Sequence, residues 1–202
     1  MTNGIKPAQQ KRSLEKQKKI IIALETLLKE KDFSQISVAA IADKAGVAVG
    51  TVYRRFANKD AFLPILLERM KEKAKEQPVE LSEVSTLEDA ITQLVSIALM
   101  QLKEDRNLFR AIYLNVRLNP HLIADDWEEM EKQALSQVEN LLRPFITEDK
   151  RVRLAPFIAY VAGTVFIEKI LFNETAPYWV QKLDENDMAT HIKTMLVALL
   201  HS

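Results

Sequence analysis

Cysteine is absent from the 202 residues, which excludes disulfide bonds, zinc–thiolate sites and thiol catalysis. Glycine is scarce, with four residues, and the chain has no glycine-rich loop of the kind that cradles phosphates. It contains neither an HExxH zinc motif nor a Gly-x-Ser-x-Gly nucleophile motif. We therefore predict a protein that is not an enzyme, with no catalytic residues, no metal site and no cofactor.

Long hydrophobic runs are also missing from the sequence. The N-terminal segment is polar and basic, and it has no apolar core of the kind that marks a signal peptide. The longest apolar run, residues 154–167, is too short and too interrupted to span a bilayer. We expect a soluble, cytoplasmic protein that has no membrane partner.

The charges are balanced over the whole chain but not along it. The formal net charge is zero, which argues against a simple nucleic-acid-coating protein. Residues 1–76 nevertheless carry 16 Lys and Arg against nine Asp and Glu, whereas residues 77–202 carry 12 against 19. Opposite blocks of this size favour a basic module that faces DNA, joined to an acidic body that DNA would repel.

Apolar residues recur mostly at helical spacing, and strand-like alternation is absent. The sequence therefore predicts an all-α protein of about nine helices. We divide it into a flexible basic arm (1–12), a basic helical module that faces DNA (13–76), and a larger acidic helical domain (77–202).

Capping residues and prolines set the expected helix ends. Ser13 is predicted to cap the first helix, Ser37 the second and Asn58 the fourth. Pro64 should bend the fourth helix or loosen its first turn, because it removes one backbone hydrogen bond. The remaining helices are predicted at 51–56, 87–104, 108–119, 126–145, 151–172 and 188–200.

The segment 37–60 reads as two short helices joined by a glycine turn. Gly46 stands where a helix C-terminus favours a left-handed residue. The second of these helices is polar and basic on one face, which suits a helix that enters a DNA major groove. The segment therefore predicts a helix-turn-helix and, with it, DNA as a partner.

The full pattern in this segment resembles the DNA-binding signature of the TetR family of bacterial transcriptional regulators. It reads Val38-x-x-Ile-Ala-x-x-Ala-Gly-Val-x-x-Gly-Thr-Val-Tyr-x-x-Phe-x-x-Lys-Asp. The resemblance implies a double-stranded DNA operator, and a homodimer joined by the last two long helices, at about 151–172 and 187–201. It also implies a small-molecule effector that binds the second domain and releases the DNA, so that the protein acts as a repressor.

The resemblance also implies which residues meet DNA. Helix three and its preceding turn would contact bases, and the flanking positions would contact the phosphate backbone. Ala48 and Val49 can offer a base only apolar contact, such as contact with a thymine methyl. Arg55 is open to a second interpretation, a solvated surface charge. The candidate DNA-binding residues are Ser37, Val38, Ala48, Val49, Gly50, Thr51, Tyr53, Arg54, Arg55 and Lys59.

Aromatic and apolar residues of the second domain are candidates for an effector pocket. Together they would suit an amphipathic or aromatic ligand with few polar anchors. Each of them could instead be an ordinary core residue, and Arg117 could pair with a carboxylate on a neighbouring helix. The candidate ligand-binding residues are Met100, Phe109, Tyr113, Arg117, Trp127, Tyr160 and Phe166, with Met130 and Trp179 as further members.

Two other functions remain open at this point. The second domain of a DNA-binding protein could respond to a protein partner and need no small molecule. Alternatively, the chain could be a helical enzyme or binding module whose head is a structural relic. His121 with Asp125 and Asp126 is only a weak metal pattern, because the aspartates also suit a helix N-cap.

Overall fold

The computed structural model describes residues 7–76, 84–119, 121 and 124–201. All the secondary structure assigned within these residues is helical, and no strand is among it, which confirms the all-α prediction. The α-helices are α1 (Pro7–Leu28), α2 (Val38–Ala45), α3 (Val49–Tyr53), α4 (Leu63–Glu76), α5 (Leu87–Glu104), α6 (Arg106–Leu118), α7 (Ala124–Leu142), α8 (Glu148–Phe166), α9 (Tyr178–Lys182) and α10 (Glu185–His201). We call α1–α4 the head and α5–α10 the body.

The helix-turn-helix of the head is formed by α2 and α3. The Ser37 hydroxyl accepts a hydrogen bond from the Ala40 N–H at 3.1 Å and so caps α2, as predicted. Gly46 ends α2 with φ 64°, and its N–H bonds back to the carbonyls of Ala42 and Asp43. Because a side chain is strained in this left-handed region, the sharp turn between the two helices depends on glycine.

Two glycines should respond in opposite ways to replacement by alanine. Gly46→Ala should lower the free energy of unfolding by about 1–2 kcal/mol, because φ is positive there. Gly163→Ala should raise it by about 0.5–1 kcal/mol, because Gly163 lies inside α8 and an added Cβ has no neighbour within 4 Å. Urea unfolding of the two variants beside the wild-type protein measures both values. Equal effects at the two positions would contradict this backbone argument.

Two predicted helix starts in the head are wrong, the first by more than one turn and the third by two residues. The first helix begins at Pro7, so Ser13 lies inside α1 and does not cap it. A proline fits the first position of a helix, because its missing N–H would have no intrahelical partner there. Residues 7–12 of the predicted flexible arm are therefore helical, while residues 1–6 lie outside the described residues. The third helix, predicted at 51–56, begins at Val49.

Pro64 occupies the first turn of α4, which begins at Leu63. A short 3-10 turn, Asp60–Phe62, precedes it, and the Asn58 side chain accepts a hydrogen bond from the Ala61 N–H at 3.0 Å. A proline in a first turn removes no interior hydrogen bond. Pro64 therefore lies where a helix tolerates proline, and it gives no reason for a bend in the middle of α4.

The body helices follow the predictions closely at α5 and less closely afterwards. α5 spans Leu87–Glu104 as predicted, and a capping box between Thr86 and Asp89 fixes its start. The helix predicted at 151–172 begins earlier, at Glu148, and ends as a π-helical turn, Ile167–Leu171. Sequence periodicity also missed the five-residue α9, because so short a helix shows no repeating apolar stripe.

α6 packs into two hydrophobic cores at once. Leu108, Ala111 and Ile112 are buried in the core of the head, together with the apolar residues of α1 and α4. On another face of α6, Phe109 and Tyr113 pack against the core of the body. α6 is therefore an element through which a change in the body can reach the head.

α8 and the π-helical turn form one stretch, Glu148–Leu171, of 24 residues. Its most apolar window has a mean hydropathy of 1.6, so the stretch could cross a membrane by length and composition. The prediction that this part of the chain is too short to span a bilayer is therefore wrong as to length. However, 44% of that window is buried inside the protein, and Ile158 and Phe166 belong to the body core. The core helix of a soluble protein can have the same length and composition, so these two properties alone do not indicate a membrane span.

Candidate nucleic-acid interface and ligand cavity

The surface of the helix-turn-helix is mostly uncharged where α3 begins. Ala48 and Gly50 are exposed, and the side chains of Val49 and Tyr53 are 40% and 52% exposed. An added Cβ at Gly50 would have no neighbour within 4 Å, so nothing in the protein fills the space beside it. In a helix-turn-helix, the start of the second helix is the part that contacts base edges. An uncharged surface of this kind can meet thymine methyl groups, and the Tyr53 hydroxyl can bond to a phosphate.

The two arginines that follow α3 are bonded to the protein itself. The Arg54 guanidinium donates to the Thr51 hydroxyl at 3.0 Å, and Thr51 is buried. Arg55 donates to the Ser13 hydroxyl at 3.0 Å, to the Ser13 carbonyl at 3.2 Å and to the Thr51 carbonyl at 3.3 Å. Arg55 therefore braces α3 against α1, whereas the exposed Arg54 keeps the rest of its guanidinium free to meet DNA.

Lys59 and the residues at the start of α2 complete the predicted DNA-binding set. The Lys59 ammonium donates to the Ser34 carbonyl at 3.1 Å and lies 4.5 Å from the centre of the Phe33 ring. Burial lowers the pKa of Lys59, and the Asp60 carboxylate partly opposes this shift. Ser37 is exposed, while Val38 is partly buried against the head core. The predicted residues all belong to α2, α3 and the turns beside them.

A mainly apolar cavity of about 250 Å³ lies in the body between α5, α6, α7 and α8. Its only polar side chains are those of Gln101, Tyr113 and Gln137, and no Lys, Arg, His, Asp or Glu is among the described residues that line it. Such a cavity can take an apolar chain or ring. Its lining residues are Leu94, Ile97, Ala98, Gln101, Leu102, Phe109, Tyr113, Ala134, Gln137, Val138, Leu141, Ala159, Ala162, Gly163 and Ile167.

Two of the predicted ligand-binding residues, Phe109 and Tyr113, line this cavity. Trp127 does not, but its ring meets the Tyr113 ring edge-on with centroids 4.9 Å apart. Among the others, Met100 and Tyr160 are 44% and 71% exposed. The structure therefore brings three of the predicted aromatic residues together.

The other predicted ligand-binding residues lie away from the cavity lining. Phe166 is fully buried in the body core, Met130 packs against the head core, and Trp179 is exposed. Arg117 pairs with Glu168 at 3.7 Å and stands 5.9 Å from the Phe172 ring, which agrees with the second interpretation of its sequence position. Helical spacing could not separate these residues from the cavity-lining ones, because it does not tell which neighbour a helix face meets.

A larger cavity, of about 460 Å³, lies between the head and the start of α6. Its lining is strongly charged, and several of these charges neutralise one another. Arg69 pairs with Glu25 at 3.2 Å, and Lys73 pairs with Asp105. Such a cleft offers an apolar ligand little apolar surface, in contrast to the smaller cavity.

Two arginines in the first turns of α6 connect the body with the head, and the sequence analysis missed them. Arg106 donates to the Ile170 carbonyl at 2.9 Å and pairs with Glu174, and Arg110 also bonds to the Leu171 carbonyl. These bonds satisfy carbonyl groups at the end of the π-helical turn that helical hydrogen bonding leaves open. Arg110 additionally pairs with Asp32 of the head at 3.5 Å. No signal in a single sequence pairs residues that lie about 60 positions apart.

Apolar side chains project outward from α8, α9 and α10. On α8, Phe157 and Tyr160 are exposed, together with Val152 one to two turns earlier. Met195 is exposed on α10, and α9 with the turn after it adds further apolar residues. Exposed apolar side chains of this kind are typical of a surface that binds another protein chain. The exposed apolar residues of this surface are Val152, Phe157, Tyr160, Tyr178, Trp179, Leu183 and Met195.

The weak metal pattern finds no support in the described part of the chain. Within these residues no group of three His, Asp or Glu side chains could hold a metal ion. Asp126 instead pairs with Lys71 of α4 at 2.8 Å, which raises the pKa of Lys71. The side chain of Asp125 lies outside the described residues.

Comparison with known proteins identifies relatives of both the head and the whole chain. Residues 20–64, which include the complete helix-turn-helix, match the family described as bacterial regulatory proteins, tetR family. The fatty acid metabolism regulator protein of Bacillus subtilis (strain 168) is 27% identical over 192 residues, which cover 91% of this chain and 94% of that protein.

Solved structures share the fold over nearly the full length. The transcriptional regulator FadR from Bacillus subtilis, in complex with stearoyl-CoA, aligns with a TM-score of 0.63 at 22% identity, over 92% of this chain and 100% of that one. The fatty acid degradation regulator FadR from Bacillus halodurans aligns with a TM-score of 0.61 at 23% identity, over 90% and 94% of the two chains. At these identities the structures establish a common fold.

Proposed function

The chain belongs to the TetR family of bacterial transcriptional regulators, and we propose that it is a repressor that a small amphipathic ligand releases from its operator. The observation that carries this proposal is the pairing of a helix-turn-helix head with an apolar cavity whose wall includes α6. Because α6 also packs into the head core, the cavity and the DNA-binding surface have a structural element in common.

An acyl chain is the ligand class that the cavity suits best. Apolar residues from four helices form its walls, and polar groups are few. A relative with the same fold has been solved with stearoyl-CoA bound. Burying each methylene group contributes about 0.8 kcal/mol, so a long acyl chain gains enough to bind tightly without many polar contacts. The polar end of such a ligand would remain at the open side of the cavity.

Release of DNA would follow from a shift of α6. Ile167 lines the cavity and begins the π-helical turn, whose last carbonyls bond to Arg106 and Arg110. A ligand that separates α8 from α6 would therefore displace these arginine side chains, and Arg110 also pairs with Asp32 of the head. Each 1.4 kcal/mol by which the ligand prefers the released state lowers operator affinity about tenfold.

The repressor would act as a homodimer in the cytoplasm. We assign its interface to the outer faces of 151–172 and 187–201, because these faces expose large apolar side chains. Two-fold symmetry then presents two recognition helices to successive major grooves, about 34–36 Å apart on a near-palindromic operator. In this assignment residues 13–76 bind DNA, and residues 77–202 bind the ligand and the second subunit.

Fluorescence anisotropy with DNA from upstream of its own gene tests the proposal. We expect binding at least about 10³-fold tighter than to random DNA of equal length, which is the low end for site-specific recognition. Stearoyl-CoA added to the complex should release the DNA. Equal and weak binding to both DNAs would contradict the expectation that the operator lies upstream of the protein's own gene. Genome-wide DNA capture would then be needed to find the operator.

Lys59→Ala should weaken binding to specific and random DNA alike, and it should lower the salt slope by about one. The reason is that Lys59 follows α3 closely in sequence, and its ammonium would contribute one charge to the contact with the phosphate backbone. Lys132→Ala, on α7 of the body, removes an exposed lysine outside the helix-turn-helix and outside the proposed dimer interface, and it serves as the control. An unchanged slope in the Lys59 variant would assign this lysine to head packing, through Ser34 and Phe33, and remove it from the DNA interface.

A further inference from the structure

We propose that Ala48 and Val49 read the operator through thymine methyl groups, so that each half-site contains thymine where the first turn of α3 meets the base edges. This inference rests on the proposed function, because it assigns a chemical preference to the DNA-binding surface of the proposed regulator. It does not involve the effector, so it is independent of the ligand cavity.

The start of α3 offers a base edge only apolar side-chain surface. Ala48, Val49 and Gly50 are exposed, and none of them has a polar side-chain atom. Thr51 and Val52, which follow, are buried. In a helix-turn-helix the N-terminal residues of the second helix contact the base edges in the major groove. The first turn of α3 therefore has no side-chain hydrogen bond to offer a base.

The two arginines after α3 do not supply the polar group that its first turn lacks. Arg55 donates to the hydroxyl and the carbonyl of Ser13, which ties its guanidinium to α1. Arg54 donates to the Thr51 hydroxyl at 3.0 Å, and its other N–H groups can bond to a guanine or a phosphate. Arg54 can therefore add a polar contact at another position, but the contact of the first turn itself stays apolar.

Thymine is the base that suits an apolar first turn. Among the four bases it alone carries a methyl group on its major-groove edge. A G·C pair presents only hydrogen-bond donors and acceptors there, and an apolar side chain would remove their water without giving them a partner. Because an unsatisfied polar group costs free energy, Ala48 and Val49 should favour A·T pairs whose thymine methyl lies against them.

Operators selected by the protein from a pool of random DNA duplexes test this preference. The wild-type protein should enrich sequences with thymine at one or more fixed positions of each half-site. Each of these thymines is then replaced by uracil, which differs from thymine only by lacking the methyl group. Loss of one buried methyl should weaken binding about fourfold, or about 16-fold when both half-sites are changed. Fluorescence anisotropy at a constant salt concentration measures these ratios.

Val49→Ala assigns the methyl contact to one side chain. For at least one thymine position, the ratio of dissociation constants for uracil and thymine operators should fall close to one in this variant, because the valine methyl groups are gone. Tyr53→Phe is the control on the same helix. It removes a hydroxyl that can bond to a phosphate, so it should weaken binding to selected and random DNA alike and keep the wild-type ratio. Equal melting temperatures show that both variants are folded.

The outcomes separate failure of this inference from failure of the proposed function. If uracil at every thymine leaves wild-type binding unchanged, no methyl group is read and the inference is wrong, although the protein still selects a site. A uracil effect of wild-type size at every position in Val49→Ala would refute the role of Val49. If the pool yields no enriched sequence, the protein is not a site-specific regulator, and the inference is wrong together with the proposed function.

Discussion

Replacing Gly163 with leucine should give a protein that binds its operator normally but no longer releases it when the ligand is added. Gly163 lies in α8 on the wall of the apolar cavity, and an added Cβ there has no neighbour within 4 Å. The leucine side chain would therefore extend into space that the ligand uses. DNA binding should persist, because the cavity belongs to the body and the helix-turn-helix belongs to the head.

The expected loss of ligand affinity follows from the volume that the leucine occupies. A side chain of four carbons displaces roughly three methylene groups of an acyl chain from a cavity of about 250 Å³. At about 0.8 kcal/mol for each methylene, the loss is about 2.4 kcal/mol, or roughly sixtyfold in affinity. Titration calorimetry with stearoyl-CoA measures this loss, and anisotropy of labelled operator DNA measures the response.

Gly163→Ala is the matched control, since it changes the same backbone position and adds only one methyl group. We expect this variant to lose about fourfold in ligand affinity at most and to keep its response. If Gly163→Leu instead leaves the DNA without any ligand, the added side chain imitates the ligand and drives the release. Unchanged ligand binding in Gly163→Leu would show that the ligand lies elsewhere and would refute the assignment of the cavity.

Features that depend on neighbours in sequence were predictable, and this includes most of the head. The Ser37 cap and the Gly46 turn follow from rules about helix ends that act over three to five residues. The bounds of α5 were equally readable, because the apolar stripe runs without interruption from Leu87. Pro7 escaped prediction, since a proline permits a helix start but does not by itself require one.

Features that depend on tertiary packing were not predictable. Arg55 bonds to Ser13, 42 positions earlier, and a single sequence contains no signal that joins the two. The same holds for the choice among aromatic residues: Tyr113 lines the cavity, while Tyr160, at an equally apolar position, faces outward. Periodicity identifies the apolar face of a helix but not whether that face meets a core, a cavity or a second subunit.

α6 packs into both the head core and the body core, and substitution of Ile112 on this helix should strongly affect both stability and the response to ligand. Ile112 is fully buried in the core of the head, although its helix also forms a wall of the cavity in the body. Ile112→Ala should lower the free energy of unfolding by about 2–5 kcal/mol, because it leaves a cavity in a closely packed core. It should also reduce the factor by which saturating ligand weakens operator binding. The reason is that α6 then packs less tightly against the head core, so a shift of α6 displaces the head less.

Ile91→Ala separates coupling from stability. Ile91 is also an isoleucine with no exposed surface, but it belongs to the core of the body and does not line the cavity. Both variants should lose similar stability in urea unfolding, within the spread expected for such substitutions. Only Ile112→Ala should reduce the ratio of operator dissociation constants measured with and without stearoyl-CoA. If both variants reduce that ratio equally, the response depends on overall stability, and α6 is not the specific connection between ligand and DNA.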